Sequence, residues 1–163
     1  MHVRWLIPAA AAVAQVAYAT QYMSVEDAQK AAFPTATHFT PVTVTDTTPA
    51  WSPKVFDARS GDTHLGYLVV DQVIGKSELI TYSLALDANG AIAGLEILDY
   101  RESHGGEVRL AGWRKQFVGK SAAEPPAFNR DIKNISGATL SCRHLTEGVQ
   151  RVLQLYQRSL AKA

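Results

Sequence analysis

The chain is short of the residues that several protein classes require. With one cysteine, Cys142, in 163 residues, no intramolecular disulfide can form, and stability must come from packing. The charges nearly cancel, 16 Lys and Arg against 15 Asp and Glu. No basic cluster tracks along the chain, so there is no positive field for a nucleic-acid backbone and no nucleic-acid partner is expected. The five histidines, His2, His38, His64, His104 and His144, are scattered without H-x-x-x-H, C-x-x-C or C-x-x-C-H spacing, which excludes the usual zinc frameworks and haem attachment. No paired acid and base residues mark a substrate pocket.

What is present begins with a core. An apolar content of 47% over this length is that of one domain, since domains run to roughly 100 to 200 residues. At the N-terminus, His2 and Arg4 precede an uncharged Ala- and Val-rich stretch from Trp5 to Ala19 that ends Ala17-Tyr18-Ala19. This is the layout of a secretory signal, with a positive start, a short apolar stretch and a small-residue cleavage site. The alternative is a retained membrane anchor, although the run is interrupted by Pro8 and Gln15 and is shorter than the roughly 20 apolar residues of a spanning helix. The expectation is therefore a signal peptide over 1–19 and a domain over 20–163 that carries equal numbers of acidic and basic side chains.

Along that domain, Ser24 followed by Glu26 and Asp27 predicts a helix start, with Pro34 ending it within about two turns. The Thr- and Pro-rich stretch from Thr35 to Pro53 reads as loop, with a short edge strand at Val42–Thr45. Runs rich in β-branched and aromatic residues at Leu65–Ile74, Glu78–Leu86 and Ile92–Tyr100 predict three strands. They are separated by Gly75-Lys76 and by Asp87-Ala88-Asn89-Gly90, with Asn89-Gly90 suited to positive φ. Connections this short force antiparallel pairing. A polar loop, Arg101 to Glu107, carries Gly105 and Gly106, which permit close backbone approach. Leu110, Trp113 and Phe117 fall on one face of a short helix ending at Gly119. Leu145, Val149, Val152, Leu153, Tyr156 and Leu160 form the stripe of a final amphipathic helix, with Arg151 outside it. The fold class is α+β, an antiparallel sheet packed against helices in a single domain.

The most specific local signal is Ser136-Gly137-Ala138-Thr139-Leu140-Ser141. It delivers a Thr hydroxyl beside the start of the last helix, where unpaired N–H groups and the macrodipole favour a phosphate. The other reading of the same residues is a plain cap, in which Ser136, Thr139 or Ser141 satisfies the first amides.

The hexapeptide resembles the flavinylation motif of the FMN-binding domain found in the C subunit of sodium-pumping NADH:quinone reductase and in the G subunit of the Rnf electron-transport complex. Three further segments match in order: Leu86 to Ile92, the loop beginning Glu102-Ser103, and Trp113 to Lys120. The likeness spans roughly Gly66 to Tyr156. Where the family's loop commonly reads Glu-Thr-Pro-Gly, this chain has Glu102-Ser103-His104-Gly105. The resemblance implies FMN as cofactor, joined through its phosphate to Thr139 by a flavin transferase that uses FAD. It also implies that Glu102, Ser103, Gly105 and Gly106 line the ring or ribityl chain. Leu140 and Ser141 adjoin the phosphate or ribityl chain, Ser136, Gly137 and Ala138 complete the motif, and Trp113 either stacks on the ring or packs in the core.

On this basis the chain reads as a periplasmic or otherwise extracytoplasmic flavoprotein that carries electrons between membrane or exported redox proteins, rather than as a catalyst with its own substrate. Two other readings remain open, a flavin-bearing sensor or accessory module of a membrane respiratory complex, and a flavin-free exported binding domain. Cys142, three residues beyond Thr139, is either a small buried side chain or a redox thiol.

Overall fold

The sheet is built around β4 (Thr63–Ile74) and β5 (Leu79–Asp87), two long strands whose residues 66–71 and 82–86 are buried whichever way they point. Such unbroken apolar runs require cover on both faces, and the computed structural model, which describes residues 20–45, 48 and 50–161, shows it. Tyr67, Val69, Val73, Ile80, Tyr82, Leu84 and Leu86 face one core, together with the long C-terminal helix. Leu68, Val70 and Ala85 face a smaller one, with Ala28 of the N-terminal helix and Phe33 just past its end. Residues 1–19, where the signal peptide is expected, lie outside the described residues.

In chain order the elements are β1 (Thr20–Gln21), α1 (Val25–Ala32), β2 (His38–Val42), β3 (Lys54–Ser60), β4, β5, β6 (Ile92–Tyr100), α2 (Ala111–Arg114) and α3 (Thr139–Leu155). The sheet order is β1-β6-β5-β4-β3-β2, antiparallel throughout. This is the expected α+β architecture. α1 starts as predicted, with the Ser24 hydroxyl accepting from the Asp27 amide at 3.0 Å and Glu26 and Asp27 in the first turn.

Several expectations need correction. The edge strand lies earlier than Val42–Thr45, at His38–Val42, where Pro41 is tolerated because one side of an edge strand needs no donor. β3 follows directly after the expected loop, in a stretch for which no element is expected; by ordinary alternation Val55 is buried in one core and Ala58 in the other, and a bulge follows between Ala58 and Arg59. In the β5–β6 connection only Gly90 takes positive φ, at 81°. The Asp87 carboxylate holds that turn by accepting from the Asn89 and Ala91 amides at 2.9 and 3.0 Å. The helix expected across Leu110–Gly119 is a chain of short turns, 3-10 at Gly106–Arg109, α2, then 3-10 at Lys115–Phe117. Trp113 and Phe117 are buried, whereas Leu110 is 59% exposed and does not share their face. The predicted stripe packs in the core beside the sheet, with Leu145, Val149, Val152 and Leu153 on α3 and Tyr156 and Leu160 on the π-helical turn that continues it at Tyr156–Leu160.

Because β5 is antiparallel to both neighbours, the end of β4, the start of β5 and the end of β6 lie at one end of the sheet. α3 begins at that same end.

Candidate functional site

Three segments meet there: the β4–β5 turn, the loop after β6, and the start of α3. Between them is a groove of about 540 Å³ lined by Lys76, Ser77, Glu102, Ser103, His104, Gly137, Ala138, Thr139, Leu140 and Ser141. That volume falls in the range of small-molecule sites.

The start of α3 is open to a ligand. Its N-cap position is Ala138, which has no side chain to bond the first amides. The first backbone bond of the helix runs from Cys142 N to Ala138 O at 3.0 Å, so the amides of Thr139, Leu140 and Ser141 precede the ladder. The plain-cap reading of the hexapeptide therefore does not describe this helix. Thr139 is exposed, and its Oγ1 accepts from Asn134 Nδ2 at 3.1 Å. Gly137 has a φ of 82°, with open space where a Cβ would stand.

The other two walls are fastened to this helix and to each other. Tyr100 donates its hydroxyl to His104 O at 2.5 Å and lies 3.3 Å from Ser141 Oγ, which joins the loop to α3. Burial pushes the Tyr100 pKa up, keeping it a donor. Gly105, at a φ of 85°, lets the loop press on the motif: a Cβ there would stand 2.5 Å from Ala138 Cβ and 2.7 Å from the Tyr100 hydroxyl. Glu102 Oε1 accepts from the Ser77 and Glu78 amides at 2.5 and 2.9 Å. Burial alone would raise the Glu102 pKa, but the amides of Glu78, Ser77 and Lys76 outweigh it and hold the carboxyl below its ordinary value. On the far side, His144 Nδ1 faces Ile74 O at 2.7 Å and Gly75 O at 3.1 Å. Both are acceptors, so this nitrogen carries the proton.

Of the residues singled out in the sequence, Thr139, Gly137, Ala138, Leu140, Ser141, Glu102 and Ser103 are brought together in the groove. Ser136 is exposed beside it. Gly105 and Gly106 border an adjoining depression that shares Ser103 and His104. Trp113 is in the core, stacked edge-on with Phe117 at 5.2 Å and donating its indole N–H to Lys133 O at 2.8 Å; it does not line the groove. Sequence reasoning misses Lys76, Ser77, His104 and Asn134 as parts of the site. Lys76 and Ser77 are accessible to it in principle, because a β4–β5 hairpin followed by β6 must put that turn beside the loop. Cys142 lies at the base of α3, fully buried, and burial raises its thiol pKa.

Residues 75–154 match the model of the FMN-binding domain. This stretch belongs to the FMN-binding domain family. FMN is its cofactor, and the groove fits that group: a hydroxyl and uncapped amides stand at one end of a cavity large enough for a flavin. Among similar proteins is the G subunit of the Na(+)-translocating ferredoxin:NAD(+) oxidoreductase complex of Acetobacterium woodii, 28% identical over 64% of this chain and 55% of its own length. Another is the G subunit of an ion-translocating oxidoreductase complex of Stutzerimonas stutzeri, 31% identical over 52% of this chain and 42% of its own length. The chain thus spans about half the length of the curated relatives it matches. Among the described residues of this FMN-binding domain, no helix is long and apolar enough to cross a membrane, and no cluster of side chains could hold a metal ion.

Proposed function

We propose that the protein is an extracytoplasmic electron carrier whose FMN is attached through its phosphate to Thr139. The observation that carries this reading is the exposed Thr139 hydroxyl at the head of an uncapped helix, inside the groove. Thr139 would supply its oxygen to the FMN phosphorus of FAD, forming an O–P bond as the pyrophosphate link breaks, with the hydroxyl proton leaving on AMP. The amides of Thr139, Leu140 and Ser141 would then face the phosphate oxygens, where the helix dipole favours negative charge.

No basic side chain is hydrogen-bonded to the Thr139 hydroxyl to serve that step. The hydrogen-bond partner of Thr139 Oγ1 is the Asn134 amide nitrogen, a donor, and His144 does not line the groove. A weak nucleophile without a base requires a separate enzyme, which makes a flavin transferase a maturation partner. Bound FMN exchanges electrons one or two at a time, and membrane or exported redox proteins would be its donor and acceptor. Permanent attachment suits a compartment where released FMN would be lost by dilution, in keeping with the export signal read over 1–19.

Coexpression with a flavin transferase should give an intact mass raised by FMN minus water, with the adduct on the Thr139 peptide. Thr139→Ala should abolish both the adduct and in-gel flavin fluorescence. An unmodified wild-type chain under these conditions would overturn the covalent reading.

A further inference from the structure

The β4–β5 turn is held more firmly than a hairpin connection needs. Gly75 N bonds Glu78 O at 2.7 Å, which closes the turn by itself. In addition Glu102 accepts from the Ser77 and Glu78 amides on one side, and His144 of α3 donates to Ile74 and Gly75 carbonyls on the other. The fit leaves no slack, since a Cβ on Gly75 would stand 2.6 Å from Glu102 Oε1 and 2.9 Å from its Cγ. The residue presented by this clamped turn is Lys76, exposed and facing the same groove as Thr139. No salt bridge among the described residues commits its ammonium. The acidic groups near it are Glu102, whose bonded oxygen is taken up by amides, and Glu78 of the same turn.

We infer that Lys76 is the counter-ion of the phosphate carried on Thr139, and that Glu102 is the positioning residue that holds Lys76 there through the turn amides. This rests on the covalent reading above. A phosphodiester keeps one negative charge, and uncapped helix amides neutralise it only in part. An ammonium on the opposite wall completes the site, as a charge-assisted contact stronger than a neutral one. Glu102 thereby acts on the phosphate indirectly, although its own carboxylate would repel it.

The test uses the full chain, flavinylated by coexpression and verified by intact mass, so that an unmodified wild-type protein is seen at once as failure of the underlying reading. Two properties of the attached phosphate are then compared across variants: its 31P chemical shift, and its rate of cleavage by an added phosphodiesterase. Lys76→Gln should move the 31P resonance toward its position in the urea-unfolded protein and speed cleavage about tenfold, in line with loss of one charged hydrogen bond. Lys76→Arg should restore both. Glu102→Ala should reproduce the Lys76→Gln effect, whereas Glu102→Gln, whose amide oxygen can still accept from Ser77 and Glu78, should stay near wild type. An unchanged 31P shift and cleavage rate in Lys76→Gln would overturn the counter-ion. Wild-type values in Glu102→Ala, or equal losses in Glu102→Ala and Glu102→Gln, would overturn the clamp.

Discussion

Asp71 shows how much one side chain can hold. It is 5% exposed, on the α3 face of β4, and accepts from the Trp51 indole at 2.9 Å, the Tyr82 hydroxyl at 2.8 Å and Arg151 at 2.8 Å. The Arg151 guanidinium also lies over the Trp51 ring, 4.6 Å from its centroid. Burial, with Asp71 alongside, pushes the Tyr82 pKa far up, so its hydroxyl stays a donor. Asp71→Ala would strand three donors and should cost about 3 kcal/mol, a fall of about 10 °C in Tm by thermal melting. Tyr82→Phe, which leaves the other two donors paired, should cost about 1 kcal/mol. None of this is legible in the sequence. An aspartate inside an apolar strand looks like its solvent face, and Arg151 looks like an exposed residue beside the helix stripe. The partners of Asp71 lie 11, 20 and 80 residues away, beyond any local pattern. Thr139 is legible for the opposite reason: its small neighbours and the helix that follows are all contiguous.

Among the elements, β4, β5, β6, α1 and α3 are readable because periodicity and turn residues agree within each of them. β3 is not, since Lys54, Asp57 and Arg59 leave it few apolar residues to mark a strand, and the turns from Gly106 to Phe117 mimic one helix because their three apolar residues keep helical spacing. Of the groove, the motif and the loop can be read, but the turn that brings Lys76 depends on tertiary pairing. The loop's seat on the motif makes a prediction at this scale. Gly105→Ala adds a Cβ 2.5 Å from Ala138 Cβ at a φ of 85° and should lower stability by about 3 kcal/mol, combining overpacking with backbone strain. Gly61→Ala, also at positive φ but with open space around it, should cost about 1 kcal/mol. Equal Tm losses in the two variants would show that Gly105 is needed only for its backbone.

At the level of the whole molecule, one sheet is shared by two cores, with α3 on one face and α1 on the other. β4 and β5 contribute to both through alternate side chains, so neither core can melt without exposing strands the other needs. Leu145→Ala on the α3 side and Phe33→Ala on the α1 side should each cost about 3 kcal/mol. In both variants far-UV circular dichroism and tryptophan fluorescence should still report one coincident transition. A fluorescence change preceding the loss of sheet signal in either variant would show that the two layers unfold separately.

The sealed position of Cys142 has a practical consequence. The chain's one sulfhydryl offers nothing to an oxidant or a maleimide while the fold persists, so no covalent dimer should build up on storage in air. Cysteines introduced one at a time on the surface would then be the sole reactive sulfurs. The native protein is thus ready, without prior removal of any residue, for site-specific crosslinking to whatever docks beside the groove.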